Sequence, residues 1–255
     1  MFVETGSGTF HCLARNEGGS SPLLLIHGLG TSSEIWTEML DALDSSRRIV
    51  APDVLSHGQS SPPASIFTIH HHARSMFLLL DELGIDRVAV AGNSMGAQIA
   101  AEMAATRPDR VDRLILVGCP AWESHRERLR YLDMRSPMIG NDGLPRVQGA
   151  PDISGRTPPS NPSTPRSDLG IWYLNSVWAV SSFDIVPRLS LIRSPTLVVY
   201  GSDDWLLPTS TTLMRGIEHA VEVIVPEGGH IVPRIKPNEL AEAIKSFVDG
   251  TVQEA

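Results

Sequence analysis

Basic residues are in short supply. Lys and Arg number 21 against 29 Asp and Glu in 255 residues, a net charge of −8, and they form no run long enough to follow a phosphate backbone. A nucleic-acid partner is therefore not expected. Long apolar runs are also missing: LLLI at 23–26 and FLLL at 77–80 fall far short of the roughly 20 residues that a bilayer span requires. No membrane crossing is expected. The opening MFVETGSGTFHC lacks a basic region followed by an apolar one, so no secretory leader is expected and the cytoplasm is the expected compartment. Cysteine is scarce as well. Cys12 and Cys119 make neither a disulfide framework nor a zinc-ligand spacing, and they are read as reduced thiols. Aromatics amount to only 5%, yet 42% of the chain is hydrophobic and 20% charged, which excludes disorder and fibre and leaves ample material for a core.

What is present alternates. LLLIH at 23–27, RIVAPD at 48–53, VAVAG at 88–92 and LILVG at 114–118 are short, apolar on both faces and rich in branched residues, as central strands of a parallel sheet are. Between them lie helical patterns. Ile69, Ala73, Met76, Phe77 and Leu80 recur at helical spacing before Gly84, and Ile99, Ala100, Met103 and Ala104 do so before Pro108. Strand signals vanish from about 119 to 190, where helical pieces around 123–135 and 168–180 flank a proline-rich loop holding Pro145, Pro151, Pro158, Pro159, Pro162 and Pro165. Strand and helix then return with TLVVYG at 196–201, a helix near 210–218, VEVIVP at 221–226 and a last helix over 238–248. The pattern predicts an α/β core over 1–118 and 191–255, with a mostly parallel sheet flanked by helices, and a mainly helical lid inserted at 119–190.

The chemistry concentrates at strand ends. Gly92-Asn93-Ser94-Met95-Gly96 fits G-x-S-x-G directly after a buried strand and before a helix, the context in which a serine projects from a tight turn as a nucleophile. Met95 would offer its backbone N–H at the helix N-terminus. A serine needs a base that titrates near neutrality, and among nine histidines His230, just beyond the 221–226 strand, is the one expected at the sheet's carboxyl edge. The imidazole in turn needs a carboxylate, and Asp203 and Asp204 both follow the 196–201 strand; one reaches His230, the other caps the loop. A second oxyanion donor is expected from the backbone N–H of Leu29, in His27-Gly28-Leu29-Gly30. His27 itself is read as holding that loop by hydrogen bonds. His70, His71 and His72 are consecutive on a helix, point about 100° apart and cannot converge on one ion; they are read as a solvated face, as are the charged positions Glu123, Arg126, Glu127, Arg128 and Arg130.

These pieces resemble the α/β-hydrolase fold superfamily, in particular its capped esterases, lactonases and C–C hydrolases. The likeness is carried by HGLG at 27–30, PDVLSHGQS at 52–60, GNSMG at 92–96, GSDDWLLP at 201–208 and GGH at 228–230, in the family's order. In the family pattern GxxDxxxP the acid is the fourth residue, which implies Asp204, with Asp203 as the fallback. Departures are Ser56 and Ala97, where the family often carries glycine, and Ile231, where the C–C branch tends to carry tryptophan. Ser94 at the nucleophile position argues against the dehalogenase and epoxide-hydrolase branches.

The expectation is a serine hydrolase acting on an ester or lactone of a small, largely apolar substrate through an acyl-enzyme. Trp122, Tyr131, Met134, Trp172, Trp205 and Ile231 are the candidate pocket residues, with Met138, Tyr173 and Trp178 adding to the lid's aromatic and thioether surface. No metal or organic cofactor is implied, the partner is a small molecule, and monomer or homodimer stays open. C–C hydrolysis, thioester cleavage, acyl transfer and a non-catalytic small-molecule receptor stand as alternatives.

Overall fold

The computed structural model describes residues 1–16, 20–43, 47–135 and 171–250. The proline-rich stretch and Met138 lie outside the described residues. In chain order the first half holds β1 (Phe2–Thr5), β2 (Gly8–Arg15), β3 (Ser20–Ile26), α1 (Thr37–Leu40), β4 (Arg47–Pro52), α2 (Ile69–Glu82), β5 (Val88–Asn93), α3 (Met95–Thr106) and β6 (Val111–Val117). The helices α4 (His125–Arg135), α5 (Ile171–Ser182) and α6 (Val186–Leu189) precede β7 (Thr196–Gly201). The chain then runs through α7 (Ser210–Gly216), β8 (Ala220–Val225), α8 (Val232–Ile235) and α9 (Pro237–Val248).

The strands form one sheet in the order β1-β2-β4-β3-β5-β6-β7-β8. From β4 to β8 every pairing is parallel, while β1 and β2 join antiparallel at one edge. That edge hairpin was not expected from the sequence. Its strand β1 alternates exposed and half-buried residues and so lacks the continuous apolar run of a central strand.

Strand alternation sends side chains into two cores. Leu24, Ile26, Val88, Val90, Leu114, Leu116, Val198 and Tyr200 meet α2 and α3 on one face. Leu23, Leu25, Ala89, Ala91, Ile115, Val117, Leu197 and Val199 meet α1 and α9 on the other, where Leu240, Ala241, Ile244 and Phe247 line one helical stripe. β5 and β7 are buried at every position, which explains their uninterrupted apolar sequence.

Helix α2 corrects one expectation. Thr68 Oγ1 accepts from the His71 amide while His71 Nδ1 accepts from the Thr68 amide, closing a reciprocal cap. His70 and His71 are exposed, but His72 is 1% exposed. It shares the inner stripe of Ile69, Ala73 and Met76, so helical phase buries it despite its polarity.

Between β6 and β7, α4 packs against α5. Asn175 on α5 makes two bonds to the backbone of Phe67, accepting from its amide at 3.1 Å and donating to its carbonyl at 3.0 Å, which ties α5 to the segment ahead of α2. Arg128 was expected on a solvated face. It is buried at 8% exposure, its Nη1 lying 3.4 Å from Asp184 Oδ1, because the inner face of α4 is closed by α5. Cys12 and Cys119 are free thiols, both buried. Burial pushes the Cys12 thiol up to about 12 and Cys119 higher still, so neither ionises near neutrality. Among the described residues no helix is long and apolar enough to cross a membrane.

Candidate active site

The parallel strands end along one edge, where Ile26 pairs with Gly92, Asn93 with Val117 and Gly201 with Val225. Ser94 follows β5 directly and adopts φ 57° and ψ −115°, a backbone conformation that costs a serine on the order of 1–3 kcal/mol. The surroundings enforce it. Its amide donates to the Val117 carbonyl at 2.9 Å, and its carbonyl accepts from the Ala97 amide at 3.0 Å. The flanking glycines have a steric reason: a Cβ on Gly92 would collide with the Gly96 carbonyl, and one on Gly96 with the Ile26 carbonyl. The turn is therefore pressed between two strands and a helix, with the serine side chain left at the edge.

His230 reaches this serine from the loop after β8, its Nε2 lying 3.0 Å from Ser94 Oγ. Its Nδ1 lies 3.1 Å from both carboxylate oxygens of Asp204. A carboxylate only accepts, so Nδ1 carries the proton and Nε2 is left as the acceptor for the serine hydroxyl. The Asp204 side chain is fully buried and also accepts from the Leu206 amide at 2.9 Å. Asp203 is exposed; its amide donates to the Gly228 carbonyl and its carboxylate accepts from Ser202 Oγ. Of the two neighbouring acids, geometry puts Asp204 on the imidazole and Asp203 in the loop.

The loop carrying Leu29 lies against the elbow: a Cβ on Gly28 would sit 3.1 Å from Ser94 Cβ. His27 fastens that loop. It is fully buried, its Nε2 accepts from the Val54 amide at 2.8 Å, and its remaining proton on Nδ1 goes to the Gly28 carbonyl at 2.8 Å. Burial lowers its pKa, in keeping with this neutral tautomer. Met95 is the first residue of α3, so its amide has no acceptor within the helix.

Several contributors carried no role in the sequence reading. Asn93 Nδ2 donates to the Val117 carbonyl at 3.3 Å and to the His230 carbonyl at 3.2 Å, joining the elbow strand to the histidine loop. Gly118, at φ 54°, lies under the acid–imidazole pair: a Cβ there would stand 2.9 Å from Asp204 Oδ2 and 3.2 Å from His230 Nδ1. Asp53 accepts from the Ser33 amide at 2.7 Å and the Gln59 amide at 2.8 Å. Burial alone would raise its pKa, but these amides and the nearby imidazole of His27 outweigh that and hold the carboxyl below its usual value.

The expected pocket residues fall into two groups. Trp122 and Tyr131 are buried with ring centroids 4.8 Å apart, Tyr131 stacks on Trp205 at 6.1 Å, and Trp205 stands 6.0 Å from His230. Met134, Trp172 and Ile231 are half-buried, and Ile231 adjoins His230 in sequence. Trp178 faces outward at 44% exposure, so it adds nothing to an inner wall. Among the described residues no group of three His, Cys, Asp or Glu side chains is placed to hold a metal ion.

A mostly parallel sheet covered on both faces, with serine, imidazole and carboxylate meeting at its carboxyl edge, defines an α/β protein of the nucleophile-elbow class. The family model described as alpha/beta hydrolase fold matches residues 21–142, and that described as Serine hydrolase (FSH1) matches residues 141–241. The chain has the α/β-hydrolase fold. An uncharacterized protein of Mycobacterium tuberculosis (strain H37Rv) is 38% identical over 142 residues, covering 54% of this chain and 42% of that protein. The first of the curated relatives are thus matched over less than half of their length. A candidate carbamate hydrolase, RutD of Pseudomonas savastanoi pv. phaseolicola, is 28% identical over 266 residues, covering 94% of this chain and 99% of its own. A crystal structure of a hydrolase from Pseudomonas aeruginosa superposes with a TM-score of 0.79 at 24% identity, with 97% of each chain covered.

Proposed function

We propose that the protein is a serine hydrolase that cleaves a carboxylic ester or lactone of a small, largely apolar substrate through an acyl-enzyme. The observation that carries this reading is the unbroken relay Ser94 Oγ, His230 Nε2, His230 Nδ1, Asp204, with contacts of 3.0 and 3.1 Å. In this mechanism His230 takes the hydroxyl proton as Ser94 attacks the carbonyl, and Asp204 stabilises the imidazolium that forms. The tetrahedral oxyanion accepts from the amides of Leu29 and Met95, and removing either donor would cost about 10²–10³ in rate. His230 then returns its proton to the leaving alcohol, and a water activated by the same imidazole releases the acyl group. The aromatic row Trp122, Tyr131 and Trp205, on and beside α4, supports an apolar pocket wall on the substrate side, with α4 and α5 acting as its lid.

A carbamate is the second reading, favoured by the nearly full-length alignment with RutD. Its carbonyl would meet the same serine and the same donors. A fluorophosphonate probe tests the common core: a covalent adduct on Ser94 is expected in the wild type and none in Ser94→Ala. A panel of small esters, lactones and carbamates then separates the two readings, with Ser94→Ala reducing turnover by about 10⁴-fold or more. A wild-type protein that is neither labelled nor active on any of the panel would refute the assignment.

A further inference from the structure

Among the described residues, a hydroxyl on α5 and an indole N–H beside His230 are buried with no acceptor. The Tyr173 hydroxyl has no partner among the described residues although the residue is 1% exposed, and the indole N–H of Trp205, next to His230, has none among them either. Native proteins seldom bury a donor without an acceptor, because its lost hydration is not replaced. Arg128 adds a third. Among the described residues its Nε has no hydrogen-bond partner, and its ion-pair partner Asp184 stands 3.4 Å away with its side chain half-exposed. Positions 128, 131 and 135 share one face of α4 at i, i+3 and i+7, and the Arg135 guanidinium lies 5.2 Å from the Tyr131 ring centroid. Burial raises the pKa of the Tyr131 phenol; the Arg135 guanidinium opposes this and the neighbouring Tyr173 phenol adds to it. Around the apolar ring row, α4, α5 and the loop after β7 thus present these two unpartnered donors and a buried guanidinium. An alkyl chain against this wall would leave all three donors unsatisfied.

Resting on the hydrolase reading above, we propose that the substrate carries a carboxylate at the end remote from the scissile carbonyl, held by Tyr173 and Trp205 through hydrogen bonds and by Arg128 through charge. A carboxylate is acceptor-only with about four lone-pair positions, which matches what the wall lacks. The aromatic row of Trp205 and Tyr131 gives the route from the imidazole to this end, in steps of 6.0 and 6.1 Å.

The test compares kcat/KM for the 4-nitrophenyl monoesters of adipic and suberic acids with their isosteres, in which two methyl groups replace the carboxylate oxygens. 4-Nitrophenyl acetate serves as reference. The wild type should prefer the acid by about tenfold or more at one of these lengths. Tyr173→Phe and Arg128→Met should each shrink that preference by about fivefold or more, a ratio internal to each variant and so independent of how much of it folds. Hydrolysis of acetate without preference for the acids, or a preference that survives both substitutions, overturns the proposal. Failure on acetate together with an unlabelled Ser94 would sink the hydrolase reading instead. Binding separates the two. Calorimetric titration of monomethyl suberate into Ser94→Ala should give a Kd weakened about tenfold by adding Tyr173→Phe, and an unchanged Kd overturns the carboxylate site whatever the turnover.

Discussion

Replacing His72 with leucine should remove a steep acid sensitivity from the fold. The imidazole is 1% exposed, neither ring nitrogen has a hydrogen-bond partner among the described residues, and its ring lies 5.3 Å from that of Phe67. Burial, with a smaller contribution from the neighbouring imidazoles of His27 and His71, lowers its pKa from 6.5 to about 3. The sign follows directly. Below pH 6.5 the unfolded chain binds a proton that the folded chain refuses, so stability is fully present above the unfolded value and is lost as pH falls toward about 3. At pH 5 the folded imidazole is still neutral, and this one residue costs the wild type about 2 kcal/mol relative to pH 7. Leucine cannot take up the proton. At pH 7 it removes two unpartnered polar atoms at little change of volume, so the variant should match the wild type within about 1 kcal/mol or exceed it. Urea unfolding at pH 7 and pH 5 gives the readout. Both proteins should weaken on acidification, since burial also lowers the pKa of His27 and His57, but the variant should lose about 2 kcal/mol less. Parallel losses at unchanged m-value would refute the reasoning, because they would mean that His72 takes no part in the difference in proton uptake.

Two further outcomes separate roles that lie close together in the chain. Asp204→Asn should lower kcat by about 10⁴-fold, since an amide can hold the imidazole in the wrong tautomer, whereas Asp203→Asn should leave kcat within a few-fold; comparable losses in both would mean that the acid has been misassigned. Gly118→Ala forces a side chain into a left-handed backbone at a cost of about 1–2 kcal/mol, and presses its methyl against both Asp204 and His230. Turnover should therefore fall by about 10²-fold while the melting temperature drops only a few degrees, and activity within a few-fold of wild type would show that the pair tolerates displacement.

How much of this was open to a reader of the sequence depends on which physical signal each part leaves. The parallel strands announce themselves because they are covered on both faces, so that VAVAG carries no polar position and TLVVYG no charged one. β1 gives no such signal: an edge strand is half in water, and FVET reads equally well as a loop. The elbow is legible because its glycines answer to steric collisions that no other residue survives. Asn93 and Gly118 share those collisions and bonds, but their partners, His230 and Asp204, are 137 and 86 positions away, and nothing local marks them.

The misread polar residues are more instructive, because for one of them the signal was there. His72 occupies the phase of Ile69, Ala73 and Met76, and counting 100° per residue places it inward whatever its chemistry; grouping it with His70 and His71 by type, in place of angle, is what set it in solvent. Arg128 offers no such correction. α4 carries charge on most of its circumference, so its apolar phase is weak, and which face closes depends on where α5 comes to rest, a long-range fact absent from the helix itself. The same holds for Asp203 and Asp204. Both follow one strand, and the choice between them is made by the turn in which the Asp204 amide donates to the Gly201 carbonyl at 3.1 Å while the Asp203 amide donates to Gly228 at 2.8 Å. Those two bonds point one side chain inward to the imidazole and the other outward to water. Chemistry in this chain is therefore readable where it is enforced by local crowding, and hidden where it is decided by a neighbour that the chain reaches only after folding.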